Sequence, residues 1–470
     1  MRTLILFFLF LAARLQAQDI SGTWQGALDI SGIKLRVVLH IKHTEDDYTA
    51  TMDSPDQGAK GIPVASVAFA SPVLKLEAPA IGARYEGRLK ADTVIAGTLF
   101  QNGAELPLEL VKQAAGAGDT SDERPQEPQP PFPYHIEEVS VSNRDAGITL
   151  AGTLTRPLGG GPFPAVVLIS GSGAQNRDEE LFGHKPFWVI ADYLTRHGYA
   201  VLRCDDRGVG ASTGNFAAAT TADFASDASA AVDFLRSAAA IDPGGIGLLG
   251  HSEGGMAAAM VAGTRSDIAF LVLLASPGVP LDSLLMTQTR MIGAASGLSP
   301  AQLSANARLN RQLYDLVIGE DNPDVLDSKL EGFLSSSLQA AINDSTITAD
   351  EATAAVNRQK AQINTPWMRY FLRFDPAKYL SRVTCPVLAL NGDKDLQVAA
   401  QENLAGIAAA LQAAGNDEIT IKVLPGLNHL FQESRTGLPS EYGTINQTIS
   451  PAVLQAIAEW LDQYVRKTQV

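Results

Sequence analysis

Cysteine is nearly absent: the 470 residues contain two, Cys204 and Cys385. Two thiols supply neither a disulfide framework nor a zinc site. Each lies at the edge of a separate expected strand, so both are read as unpaired, mostly buried thiols. Positive charge is also scarce. Lys and Arg number 36 against 51 Asp and Glu, for a formal net charge of −15. That balance suits neither nucleic acid nor an anionic membrane as a partner. Past the N-terminus no apolar stretch has the length of a membrane span. No group of residues has metal-ligand spacing, no cofactor is expected, and no internal repeat is evident.

What is present falls into four parts. Residues 1–17 read as a secretory signal: Arg2 gives the positive start, Leu4 to Ala13 the short apolar core, and Ala17 the small residue before the cut. The mature chain is then expected to be exported, periplasmic or secreted, with no membrane anchor, since no cysteine near the cut could carry a lipid. Residues 18–112 read as all-β, with alternating runs such as Leu35 to Ile41, Val94 to Phe100 and Leu106 to Val111 separated by turn residues. Residues 113–133 turn to Ala-Gly, then acidic residues, then five prolines; this composition predicts a solvated, partly extended linker.

From residue 134 to 470 strands and helices alternate. The apolar runs Ala165–Ser170, Tyr199–Asp205, Ile246–Leu249, Ala269–Ala275, Pro386–Asn391 and Ile419–Leu424 predict a mostly parallel sheet covered on both faces. Between about 280 and 383 the strands stop and helical patterns take over, which predicts an inserted helical cap.

The chemistry centres on Gly250-His251-Ser252-Glu253-Gly254. This Gly-x-Ser-x-Gly follows an apolar strand and precedes an alanine-rich helix, the setting of a nucleophile elbow. A serine hydroxyl needs a histidine base, and the base needs an acid that fixes its tautomer. Of seven histidines only His429 follows Ser252, and it lies in the loop after the last expected strand. Asp393 and Asp395 both follow the preceding strand; Asp393, directly after Gly392, suits a turn, and Asp395 is chosen as the acid. The developing oxyanion needs fixed N–H donors. The backbone N–H groups of Glu253 and of Ser172, in the Gly-rich loop Ser170 to Asp178, are assigned to it. That loop lacks the residues of a phosphate-binding P-loop. Ser170 and His251 are expected to shape the site, Asp205-Asp206-Arg207-Gly208 to form an internal ion pair and turn, and Glu179, Glu180 and His184 to line the entrance or be solvated. Trp367, Tyr370 and Phe371 are candidates for the substrate pocket, with plain cap packing the alternative.

Taken together, these motifs resemble the α/β-hydrolases of the secreted bacterial esterase and serine-aminopeptidase-like group. Asp206-Arg207-Gly208-Val209-Gly210-Ala211-Ser212, the elbow, Gly392-Asp393-Lys394-Asp395 and Gly426-Leu427-Asn428-His429 carry the resemblance, which spans residues 134 to 468. It implies Ser252 as nucleophile, His429 as base and Asp395 as acid. One departure is Ser170, where many members have histidine. The opening Ser21 to Gly26 resembles the Gly-x-Trp start of lipocalin-like barrels, with Trp24 as core packing. The expected function is cleavage of a small-molecule carboxylic ester through an acyl-enzyme. The alternatives are a peptidase or aminopeptidase with the same triad, and a lipid- or glycan-binding protein built on a hydrolase scaffold. The oligomeric state is not read from the sequence.

Overall fold

The computed structural model describes residues 19–30, 33–44, 47–54, 59–101, 104–113, 124–343 and 347–464. The expected signal segment lies outside them. The chain divides into two compact units, residues 1–120 and 121–470.

The first unit is one antiparallel sheet of nine strands, β1 (Gly22–Ile30), β2 (Ile33–His43), β3 (Tyr48–Ser54), β4 (Ala59–Val64), β5 (Ser66–Ala70), β6 (Val73–Ala78), β7 (Ala83–Ala91), β8 (Val94–Gln101) and β9 (Ala104–Lys112). β3 lies against β5 and β4 against β6, so the sheet curls until it nearly closes. Alternation drives this: along β7 side chains are buried and exposed in turn. The interior is filled by Trp24, Leu39, Leu74, Tyr85, Ile95 and Leu110. The Trp24 indole N–H donates to the Ile20 carbonyl at 2.8 Å, which satisfies its polar atom inside that core.

The second unit opens with the hairpin β10 (Tyr134–Asn143) and β11 (Ile148–Pro157), followed by β12 (Phe163–Ile169), α1 (Pro186–Arg196), β13 (Ala200–Cys204), α2 (Thr221–Ser237), β14 (Ile241–His251), α3 (Glu253–Ala262) and β15 (Leu271–Leu274). The cap follows: α4 (Leu281–Ala295), α5 (Pro300–Ile318), α6 (Pro323–Asn343), α7 (Ala349–Ile363), α8 (Pro366–Leu372) and α9 (Ala377–Leu380). The chain closes with β16 (Val387–Gly392), α10 (Ala400–Ala413), β17 (Ile419–Leu424) and α11 (Pro451–Tyr464). The sheet order is β10-β11-β13-β12-β14-β15-β16-β17, parallel from β13 onward. This is the α/β-hydrolase arrangement.

Separate apolar clusters cover the two faces of the sheet, one with α2, α3 and α10, the other with α1 and α11. The sheet's β14 is buried along its final seven residues, so its burial runs unbroken rather than alternating. Cap helices start where the sequence offers caps: Ser299 with Gln302, and Thr348 with Glu351, form capping boxes. Cys204 and Cys385 are free, one ending β13 and the other just before β16, strands separated by three others, and burial pushes both thiols up to about 12.

From residue 124 the Pro-rich stretch is exposed at Pro125, Gln129, Pro130, Pro131 and Pro133 but is anchored at two polar side chains. Arg124 is buried and donates to the carbonyls of Gly183, Phe182, Ile445 and Gly443, while Gln126 bonds the backbone of Thr448 and Ile449. Seven backbone groups, five carbonyls and two amides, are bonded by these two long side chains and tie the stretch down.

Candidate active site

The elbow is a strained turn made possible by small neighbours. Ser252 has φ 52° and ψ −120°, outside the regions ordinary residues favour. Its own N–H donates to the Leu274 carbonyl at 2.8 Å, which pins the strained residue to β15. A Cβ on Gly250 would lie 2.2 Å from the Gly254 carbonyl, and one on Gly254 would lie 2.0 Å from the Ile169 carbonyl. These glycines let the β14–α3 turn close against the end of β12.

The structure brings three predicted side chains together from three loops. His429 Nε2 lies 3.1 Å from Ser252 Oγ, and His429 Nδ1 lies 2.8 Å from Asp395 Oδ2. Asp395 is 1% exposed, and its other oxygen accepts the N–H groups of Gln397 and Val398, each at 2.8 Å. Those bonds fix the carboxylate so that Oδ2 faces the imidazole. Asp393 instead accepts the Gly426 N–H at 2.6 Å and holds the turn that carries the histidine loop.

Gly171 packs beside the serine, within 3.3 Å of Ser252 Cβ if given a side chain. Its N–H is taken by Glu179. The next N–H along, Ser172, and that of Glu253 have no partner among the described residues. Glu253 starts α3, so its N–H is also one of the unpaired donors of a helix N-terminus.

Behind the elbow sits an arrangement the sequence did not announce. Glu179, 1% exposed, accepts from Gly171 N–H at 2.7 Å and faces His251 Nδ1 at 2.9 Å, while His251 Nε2 faces the His429 carbonyl at 3.0 Å. Both partners of His251 accept, so both ring nitrogens carry protons and the ring is an imidazolium paired with a carboxylate. Burial works against that charge, but Glu179 and the His429 carbonyl outweigh it and raise the His251 pKa. The expectation that Glu179 and His184 line an entrance or are solvated is therefore corrected. His184 is also buried, bonded to Thr448 and to the Tyr442 carbonyl at 3.0 Å. Each is drawn inside by acceptors or donors distant in the chain.

A second buried carboxyl, Glu253, joins the elbow to its surroundings. Its Oε1 accepts from Thr221 at 2.6 Å and from the Trp367 indole at 2.8 Å. Oε2 is buried without a partner among the described residues, and burial raises the group's pKa. Asp206 is the third. It accepts from Ser170 Oγ and Gln175 N–H, each at 2.9 Å, and burial pushes it up to about 7. Asp205 pairs with Arg177, and Arg207 with Asp223 and Asp227, as an internal brace.

Of the cap aromatics, Trp367 and Tyr370 are half-buried. Phe371 is 6% exposed and packs into the core, its ring 4.7 Å from that of Trp367. Among the described residues no cluster of His, Cys, Asp and Glu is arranged to hold a metal ion.

Residues 146–422 match the family described as X-Pro dipeptidyl-peptidase (S15 family). Esterase EstD of Thermotoga maritima is 27% identical over 335 residues, which span 70% of this chain and 70% of that protein. Among solved structures, the esterase of Pyrococcus furiosus superposes with a TM-score of 0.44 at 15% identity, over 71% of this chain and 92% of that one. The α/β-hydrolase GrgF of a Penicillium species gives 0.44 at 17% identity, over 71% and 99%. The matched span covers more than half of the chain, including Ser252 and Asp395. The protein belongs to the S15 family of the α/β-hydrolase superfamily and is a serine hydrolase.

Proposed function

We propose that the protein is an exported carboxylic ester hydrolase that works through Ser252, His429 and Asp395. The observation that carries this reading is the unbroken chain from Ser252 Oγ to His429 to Asp395, at 3.1 and 2.8 Å. His429 Nε2 takes the serine proton as Oγ attacks the ester carbonyl carbon. Asp395 holds the Nδ1 proton and stabilises the imidazolium. The carbonyl oxygen, now negative, is received by the Ser172 and Glu253 N–H groups. Collapse of the tetrahedral species expels the alcohol, which takes the proton from His429. Water then repeats the sequence on the acyl-enzyme and releases the acid. No step calls for a metal or cofactor. Trp367 and Tyr370 are the cap residues placed to shape the acyl or alcohol pocket.

The esterase name of the Thermotoga relative supports the ester reading. The S15 family description favours the second reading, a peptidase with the same three residues. Fold and triad do not separate the two. The test is fluorophosphonate labelling with a panel of short-chain nitrophenyl esters and aminoacyl amides, on wild type and Ser252→Ala. Ester turnover and labelling, both lost in Ser252→Ala, support the proposal. Amide turnover alone replaces it with the peptidase reading, and labelling unchanged in the variant removes Ser252 as nucleophile. Export is tested by fractionating cells that express the full chain: a product lacking residues 1–17 outside the cytoplasm supports it.

A further inference from the structure

Where α8 meets α9, an open pocket of about 450 Å³ is lined by Arg369, Arg373, Lys378, Tyr370, Phe374 and Tyr379. Three cations around one cavity stand out in a chain of net charge −15. Their partners separate them. Arg373 is committed to the fold: its guanidinium donates to the carbonyls of Val317, Ile318, Glu320 and Arg369. Arg369 is not so committed. Its Nε is buried without an acceptor, and the side chain has no ion-pair partner among the described residues. Lys378 likewise has no carboxylate partner there; its ammonium lies 5.4 Å from the Tyr379 ring centroid. The one carboxylate on the rim, Asp375, is exposed and caps the start of α9 by accepting the Ala377 N–H at 3.0 Å.

We propose that this cavity binds a small aromatic carboxylate. A guanidinium fork with no ion-pair partner among the described residues matches a carboxylate in geometry and charge. Lys378 adds positive charge at the rim. The apolar wall favours an aryl body: the Phe374 ring stacks on Tyr379 at 5.5 Å and lies 6.0 Å from Tyr370. A bare phosphate would use the charge and leave that wall idle. None of the triad residues lines the site; Tyr370 is the residue it shares with the proposed substrate pocket.

The test is calorimetric titration of the full chain with sodium benzoate, and with phosphate and chloride at matched ionic strength. Wild type is expected to show one saturable benzoate site, tighter than phosphate. Affinity should fall at least tenfold in Arg369→Gln and severalfold in Lys378→Gln, and stay unchanged in Ser252→Ala. Arg369→Lys keeps the charge and loses the fork, so it should also weaken benzoate while preserving the fold. Benzoate binding as tight in Arg369→Gln as in wild type, no saturable binding, or phosphate binding as tightly as benzoate would each overturn the proposal.

Discussion

Glu179 and His251 form a buried ion pair, 2.9 Å apart, immediately behind the nucleophile. The carboxylate also holds the Gly171 N–H, and the imidazolium holds the His429 carbonyl, so one proton-sharing pair ties the oxyanion loop to the loop of the base.

Breaking that pair should disturb catalysis more than bulk structure. In Glu179→Gln the burial of His251 goes uncompensated, its pKa drops, and it loses one of two donors at neutral pH. A loss of about 1–3 kcal/mol in stability is expected from the broken buried pairing, with a roughly tenfold fall in kcat/KM. In wild type, the pair's stabilisation is fully present below the ordinary histidine pKa and is lost as pH rises through the elevated one. Melting temperature measured against pH for both proteins checks the sign: the gap between them should narrow at alkaline pH.

Asp395→Asn keeps the size of the side chain but lets the imidazole settle in the wrong tautomer. A fall in kcat of about 10⁴ is expected, with substrate binding little changed. Steady-state kinetics on a nitrophenyl ester measure both. A fall of less than tenfold would mean that another group serves as the acid.

Trp367→Phe removes the cap's hydrogen bond to Glu253, whose carboxyl already has one bare oxygen. Leaving Oε1 with fewer donors is expected to destabilise by about 1–3 kcal/mol. Because Glu253 directly follows the nucleophile and starts α3, KM and kcat should both worsen. Chemical denaturation and the KM and kcat values of the variant decide this.

Gly254→Ala puts a methyl group 2.0 Å from the Ile169 carbonyl, where only backbone can yield. The β12 end and the loop that follows must move, so phosphonate labelling of Ser252 should slow by at least about tenfold. A variant labelled at the wild-type rate would show that the loop tolerates the shift.

Asp206 ionises near 7 in the fold, and the unfolded chain ionises it at about 4. Between those values the folded state binds the extra proton, so this group's contribution to stability falls as pH rises from about 4 to 7 and is then flat. Asp206→Asn removes the titration, and Ser170 can turn its hydroxyl to accept from the new amide. The melting temperature of the variant relative to wild type should therefore climb between about pH 5 and pH 8.

The strands that carry the site were legible because their apolar runs are continuous and end in turn residues; the expected bounds of β17, Ile419–Leu424, match those observed. Ser252, His429 and Asp395 could be picked out because the fold fixes their chain order and leaves one histidine available. The burial of the Glu179, Glu253 and Arg124 side chains was not legible. A charged residue next to turns looks solvated in a sequence, and what buries these three are partners 32 to 321 residues away. The short helices α8 and α9 gave no periodic signal of their own, being seven and four residues long.

The cap leaves the sheet after Leu274 and returns at Val387, yet β15 and β16 are direct neighbours, with Leu271 opposite Val387 and Leu274 opposite Leu390. A crossover between adjacent parallel strands requires only a dozen or so residues. The remainder of the insertion is thus a cassette: helices can lengthen, shrink or be exchanged between relatives without altering one strand register beneath the nucleophile. Descent can then vary what the enzyme admits while leaving inherited chemistry in place.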